Sequence, residues 1–177
     1  MSEWLGVVGT RELTVDVGRD VHLYVERAVR SGSSIVSGGG TGVDTMAIKT
    51  AIELDVTPGR LRVYLPVQLA RYAELLLLRA EAGKCLVGDA EETIAQLQLL
   101  RARDEECVVD GDGFTELTPE AFYARNQRIL DLASRLAAFQ IRGNPTASKL
   151  IAGTAYTVQL AHERGMPVDE FEYDFAE

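Results

Sequence analysis

Ser34-Ile35-Val36-Ser37 is a short apolar segment that runs straight into Gly38-Gly39-Gly40-Thr41-Gly42 and then into Val43-Asp44. The segment reads as a buried strand over 34–37. Met46, Ala47, Thr50, Ala51 and Leu54 then recur at helical spacing, which predicts a helix over 43–54. A strand that enters a glycine loop and leaves as a helix makes an anion site. Glycines permit positive φ and close backbone approach, and the helix start offers free N–H groups and the positive end of its dipole. The Thr41 hydroxyl adds a donor. Asp44 is placed either to cap the helix or to accept from a ribose hydroxyl. No lysine follows in the Walker A position, and the spacing is not GxGxxG, so the loop does not read as a P-loop NTPase.

Working outward, the same alternation continues. Trp4 to Val8 is an apolar strand ending in Gly9-Thr10-Arg11, and Asp16 to Arg30 is a helix stopped at Ser31-Gly32. Downstream come a strand over 61–65, a helix over 69–82 and a helix over 90–106. The acidic stretch 104–116 reads as a surface loop. Thr118 is placed as N-cap and Pro119 at the first position of a helix reaching about 134. A strand over 136–141, a loop over 142–153, a helix over 154–164 and a strand over 167–173 complete the chain. Strands alternating with helices predict one domain over 1–177, of α/β class, Rossmann-like, with a mainly parallel sheet and helices on both faces.

In such a sheet, ligands sit beyond the carboxyl ends of the strands. That places Gly9, Thr10 and Arg11 beside Ser37, Gly38, Gly39, Gly40, Thr41, Gly42 and Asp44 as candidate ligand-binding residues. Arg125 and Arg128 lie three apart, on one helix face, with Asn126 between them, and arginine forks grip phosphate bidentately. Gly153 and Thr154 open the last helix and repeat the helix-start logic.

Composition narrows the functional classes. The 177 residues are 46% hydrophobic and carry a formal net charge of −9, with a pI of about 4.8. That balance argues against a nucleic-acid coat. Cys85 and Cys107 form no CxxC pair and have only His22 and His162 to join them, so no metal site is expected. Unpaired thiols and no signal peptide point to the cytoplasm, and no apolar run reaches membrane-spanning length. There is no nucleophile elbow. No catalytic residue and no cofactor is assigned. The Ala/Leu-rich stretch Leu75 to Ala82 has more apolar residues than one helix face needs, which suggests a homo-oligomer.

Taken together, Val7-Val8-Gly9-Thr10-Arg11, the segment Ile35 to Asp44, Arg125-Asn126-Gln127-Arg128-Ile129, Thr154-Ala155 and Gly165-Met166-Pro167-Val168 resemble the SLOG superfamily. The closest likeness is to the Rossmann-like domain of the DNA-processing protein A (Smf) family, over roughly residues 4–170. The resemblance implies that the glycine loop and the arginine/asparagine segment line one pocket. It also implies three ligand classes: nucleotides, single-stranded DNA, or a nucleoside monophosphate undergoing phosphoribohydrolysis. Thr41 stands where the DNA-processing pattern has an arginine, and no glutamate lies between Arg142 and Gln159 for hydrolysis. With the negative net charge, these departures favour a non-catalytic binder of a nucleotide or nucleotide-derived small molecule. Single-stranded DNA is the disfavoured partner, and phosphoribohydrolysis is the third reading.

Overall fold

The computed structural model describes residues 3–56, 58–143 and 152–175. In chain order the elements are β1 (Trp4–Gly9), α1 (Val15–Arg30), β2 (Ser34–Ser37), α2 (Val43–Glu53), β3 (Leu61–Tyr64), α3 (Leu69–Glu81), α4 (Val87–Arg103), β4 (Val108–Val109), α5 (Pro119–Leu132), β5 (Arg135–Arg142), α6 (Ala152–Glu163) and β6 (Val168–Asp174). The strands form one six-stranded sheet in the order β4-β3-β2-β1-β5-β6. Every pairing among the described residues is parallel.

The inner strands read as continuous apolar runs because both faces of the sheet are covered. On one face Leu5, Val7, Ile35, Val63 and Phe139 pack against α1 through α4. On the other, Val8, Val36, Leu136 and Ala138 meet Ile129 and Leu130 of α5 and Val158 and Ala161 of α6. Helix starts are set locally. The Thr14 hydroxyl accepts from the Val17 N–H and opens α1. Thr118 accepts from Ala121, with Pro119 in the first turn of α5.

Two readings are corrected. The acidic stretch 104–116 is not all surface loop. Val108 and Val109 form an edge strand that pairs with Val63 and Tyr64 of β3. Helix α4 begins at Val87 and ends at Arg103, three residues ahead of the sequence reading at both ends. Of the loop read over 142–153, residues 144–151 lie outside the described residues. The apolar stretch of α3 divides by face: Leu75, Leu76 and Ala80 are buried while Leu77 and Leu78 are exposed. No helix among the described residues is long and apolar enough to cross a membrane.

The chain runs from β1 through β2 and β3 to β4 on one side, then returns to lay β5 and β6 on the other. The order therefore reverses between β1 and β5, which fixes the switch point at their carboxyl ends.

Candidate anion-binding site at the carboxyl edge of the sheet

The glycine loop is held against the protein at nearly every residue. The Gly38 carbonyl accepts from Arg125 Nη1 at 3.0 Å, and a Cβ on Gly38 would come within 2.7 Å of the Arg125 Cζ. Only glycine lets the guanidinium lie flat there. Gly39 takes φ +65°, and its carbonyl accepts from the Tyr72 hydroxyl at 3.0 Å. Gly42 takes φ +80°, and a side chain on it would strike the carbonyl oxygens of Thr10 and Arg11. The Val43 N–H donates to that Thr10 carbonyl at 3.1 Å. Loops after β1 and β2 therefore touch backbone to backbone, an approach that glycine at position 42 permits. On the other side, the Thr10 N–H donates to the Phe139 carbonyl of β5.

Asp44 occupies part of the space that the sequence assigned to a ligand. Its Oδ2 accepts the Gly40 N–H at 2.9 Å, so one backbone donor of the glycine loop already holds a carboxylate. The residue is buried, which raises its carboxyl above the ordinary range; the Arg125 guanidinium and the Gly40 N–H oppose that rise. Asp44 does not cap α2, whose N-cap Gly42 takes part in no side-chain capping bond; it ties the first helical turn back to the glycine loop through Gly40. Thr41 and Ser37 are buried, Ser37 donating to the Val7 carbonyl at 2.9 Å.

Arginines gather around this loop. Arg125 donates through Nε to Asn126 Oδ1 at 2.9 Å, and Asn126 donates to the Gly153 carbonyl at 3.3 Å. Asn126 thus ties the arginine to the first turn of α6, where Thr154 is half-buried. The Arg11 guanidinium lies 4.8 Å from the Phe122 ring centroid and that of Arg125 lies 5.2 Å from it. Arg128 points elsewhere: it donates to the Asp110 carbonyl at 2.8 Å and stands 4.6 Å over Tyr64. It borders the β3–β4 side of the site.

The sequence reading missed Arg79, Phe122 and Tyr72. Arg79 of α3 is half-buried, and burial followed by repulsion from Arg11 lowers its pKa from the usual arginine range. In a Leu/Ala-rich helix it read as one charge on an apolar face. Its isolation among leucines is the signal that could have found it. Phe122 precedes the arginine segment by one helical turn.

Among the described residues, none of Arg11, Arg79, Arg125 and Arg128 forms an ion pair. By contrast Arg19, Arg30, Lys49, Arg71, Arg142 and Arg164 each hold a carboxylate. Positive charge at the carboxyl edge is thus left available, and Asp44 is the acidic group whose charge most directly faces Arg125. The described residues contain no cluster of three or more His, Cys, Asp and Glu suited to a metal.

Residues 1–62 match the family model of DNA recombination-mediator protein A. The structure superposes on DNA processing protein A from Helicobacter pylori with a TM-score of 0.62 at 16% identity, covering 95% of this chain and 64% of that one. The fold is that of a DprA-like Rossmann-type domain. DNA processing protein A (DprA) from Streptococcus pneumoniae also matches, with a TM-score of 0.49 at 16% identity, over 95% of this chain and 58% of that one. A search of the curated proteins finds no match. The DprA-like domain spans about 64% of the length of the Helicobacter protein.

The partner expectation is corrected by this likeness. The sequence ranked a small nucleotide first and disfavoured nucleic acid, whereas the Helicobacter protein that shares the fold binds single-stranded DNA. The physical reason lies in where the acidic groups go. Asp110 pairs with Arg101 at 2.7 Å and accepts the Leu69 N–H, and Glu116 pairs with Arg71. These carboxylates of the acidic segment fasten it to α3 and α4, so net charge was a poor guide to the field at the site.

Proposed function

We propose that this domain binds single-stranded DNA at the carboxyl edge of its sheet, as a DNA-processing module. The observation that carries the proposal is that Arg11 and Arg125, at the switch point, and Arg79, near enough to Arg11 to be repelled by it, have no ion-pair partner among the described residues. In this reading a sugar–phosphate backbone passes over the Gly38–Gly42 loop. Arg11 and Arg79 take its phosphates, while the Thr10 and Val43 N–H groups stay engaged in holding the loops to β5 and to each other. Arg125 acts from below: it is fixed to Gly38 and Asn126 and holds the loop in shape while contributing charge. Asn126 keeps the start of α6, with Gly153 and Thr154, against the same edge. A polymer fits this arrangement because the contacts are to repeated phosphates. Recombination mediation is the process to which such a module would contribute.

Fluorescence anisotropy with a labelled oligothymidine at about 0.15 M salt tests the reading. Arg11 and Arg79 make no hydrogen bond among the described residues, so their replacement leaves the fold's bonds in place. The double variant Arg11→Ala/Arg79→Ala should bind at least tenfold more weakly while still unfolding cooperatively, its melting temperature lowered only by the lost stacking on Phe122. A charged hydrogen bond contributes about 1.5–3 kcal/mol, and 1.4 kcal/mol is tenfold. Equal affinity of the variant and the wild type would overturn the proposed site.

A further inference from the structure

A cavity of about 160 Å³ opens between α5 and the segment that follows β4. Leu65 and Pro66, at the end of β3, form one side and Phe114 another. Ala121 and Ala124, three apart on one face of α5, leave the space open because they are small. Arg125 and Arg128 continue that face and complete the lining. The cavity adjoins the glycine loop directly. Arg125 is bonded to the Gly38 carbonyl, and Leu65 is the side chain that a Cβ on Gly39 would meet at 2.8 Å.

The two arginines do not use all their donors on the protein. Arg125 uses Nη1 on Gly38 and Nε on Asn126, and Arg128 uses Nη1 on Asp110. Each retains N–H groups with no acceptor among the described residues. An apolar slot with a few convergent donors is the usual make-up of a site for a flat, partly polar ring. Its volume falls below the roughly 300–1,000 Å³ of common small-molecule pockets, so it suits one ring system and not a whole nucleotide.

We propose that this cavity is a nucleobase subsite, taking one unstacked base of a strand whose backbone lies on the arginines of the glycine loop. The proposal rests on the single-stranded DNA reading above. The faces of the base would contact Phe114, Pro66 and the two alanines, and its ring or carbonyl acceptors would meet the free N–H groups of Arg125 and Arg128. Asp112, also on the lining, offers an acceptor to an exocyclic amine or ring N–H. Contacts between a base and an aromatic or apolar wall tolerate any sequence, since every base has a π-face.

The test compares two labelled oligomers of equal length, oligothymidine and a strand of abasic tetrahydrofuran units. Wild type should prefer the base-bearing strand by about tenfold or more, in line with the measured worth of base stacking on protein side chains. Ala124→Leu fills the cavity and should reduce oligothymidine affinity to the abasic level while leaving abasic binding unchanged. Phe114→Ala removes a wall without adding bulk, and should lower the same preference, which guards against a folding defect in the leucine variant. Retention of the full preference by both variants would overturn the subsite alone. Failure of wild type to bind either strand would overturn the DNA reading and the subsite with it.

Discussion

Asp44 shows how one residue sets the electrostatics of the edge. It is a buried carboxylate that accepts the Gly40 N–H, in the place where an anion at a helix N-terminus is expected. Burial disfavours its charged form more than Arg125, Gly40, Ser37 and Arg11 favour it, so its folded pKa is raised above the ordinary 3.8. The folded state therefore binds this proton more tightly than the unfolded chain does. Between the ordinary value and the raised one, stability falls as pH rises; below that window both states are protonated, and above it both are ionised. An asparagine cannot titrate but still offers an oxygen to the Gly40 N–H. The melting-temperature difference, Asp44→Asn minus wild type, should thus grow more positive as pH rises from about 4 to 7. A difference that stays constant across that range would mean that the carboxylate is not strained by its burial.

Between elements, the loop is steadied by a tie from α2 to α4. Thr45 donates to the Gly40 carbonyl at 2.9 Å and shares a hydrogen bond with Thr93 at 2.7 Å, and Thr93 is almost wholly buried. Thr93→Val keeps the shape and deletes that bond. The expected loss is about 1 kcal/mol, a drop of roughly 2–4 °C for a chain of this size; calorimetry showing no drop would mean that the tie contributes nothing. What the sequence made legible follows the same local logic. β2, the glycine loop and α2 lie in consecutive residues, so apolar run, glycines and helical period could be read together. β4 was hidden because it is two residues long and has no period of its own. It exists because the edge of β3 offers partners, Val63 donating to the Cys107 carbonyl and Leu65 to that of Val109. Arg125 and Asn126 were visible as a motif. Arg79 was not, because nothing in its own helix refers to Arg11, which lies 68 positions earlier in the chain and meets it only through the fold.

For the molecule as a whole, the net charge of −9 and the proposed DNA site are reconciled by how the charges are distributed. Association with a polyanion depends on the local cations that displace counterions, and the long-range repulsion from the rest of the surface is screened beyond about 8 Å at physiological salt. Much of the basic surface away from the site is already neutralised, Arg30 by Glu26, Arg71 by Glu74 and Glu116, and Arg164 by Asp131. Those residues should release few counterions when DNA arrives. If Arg11 and Arg79 account for the phosphate contacts, two contacts at about 0.7 each give a log–log slope of affinity against salt of about −1.4 for a single strand. Arg11→Ala should bring that slope closer to zero by about 0.7, whereas Arg30→Ala, on the far side of an ion pair, should leave it unchanged. Titration with oligothymidine over a series of salt concentrations separates these outcomes. A slope near zero, or one that Arg30→Ala reduces as much as Arg11→Ala does, would show that the contact is not made by the arginines of the switch point.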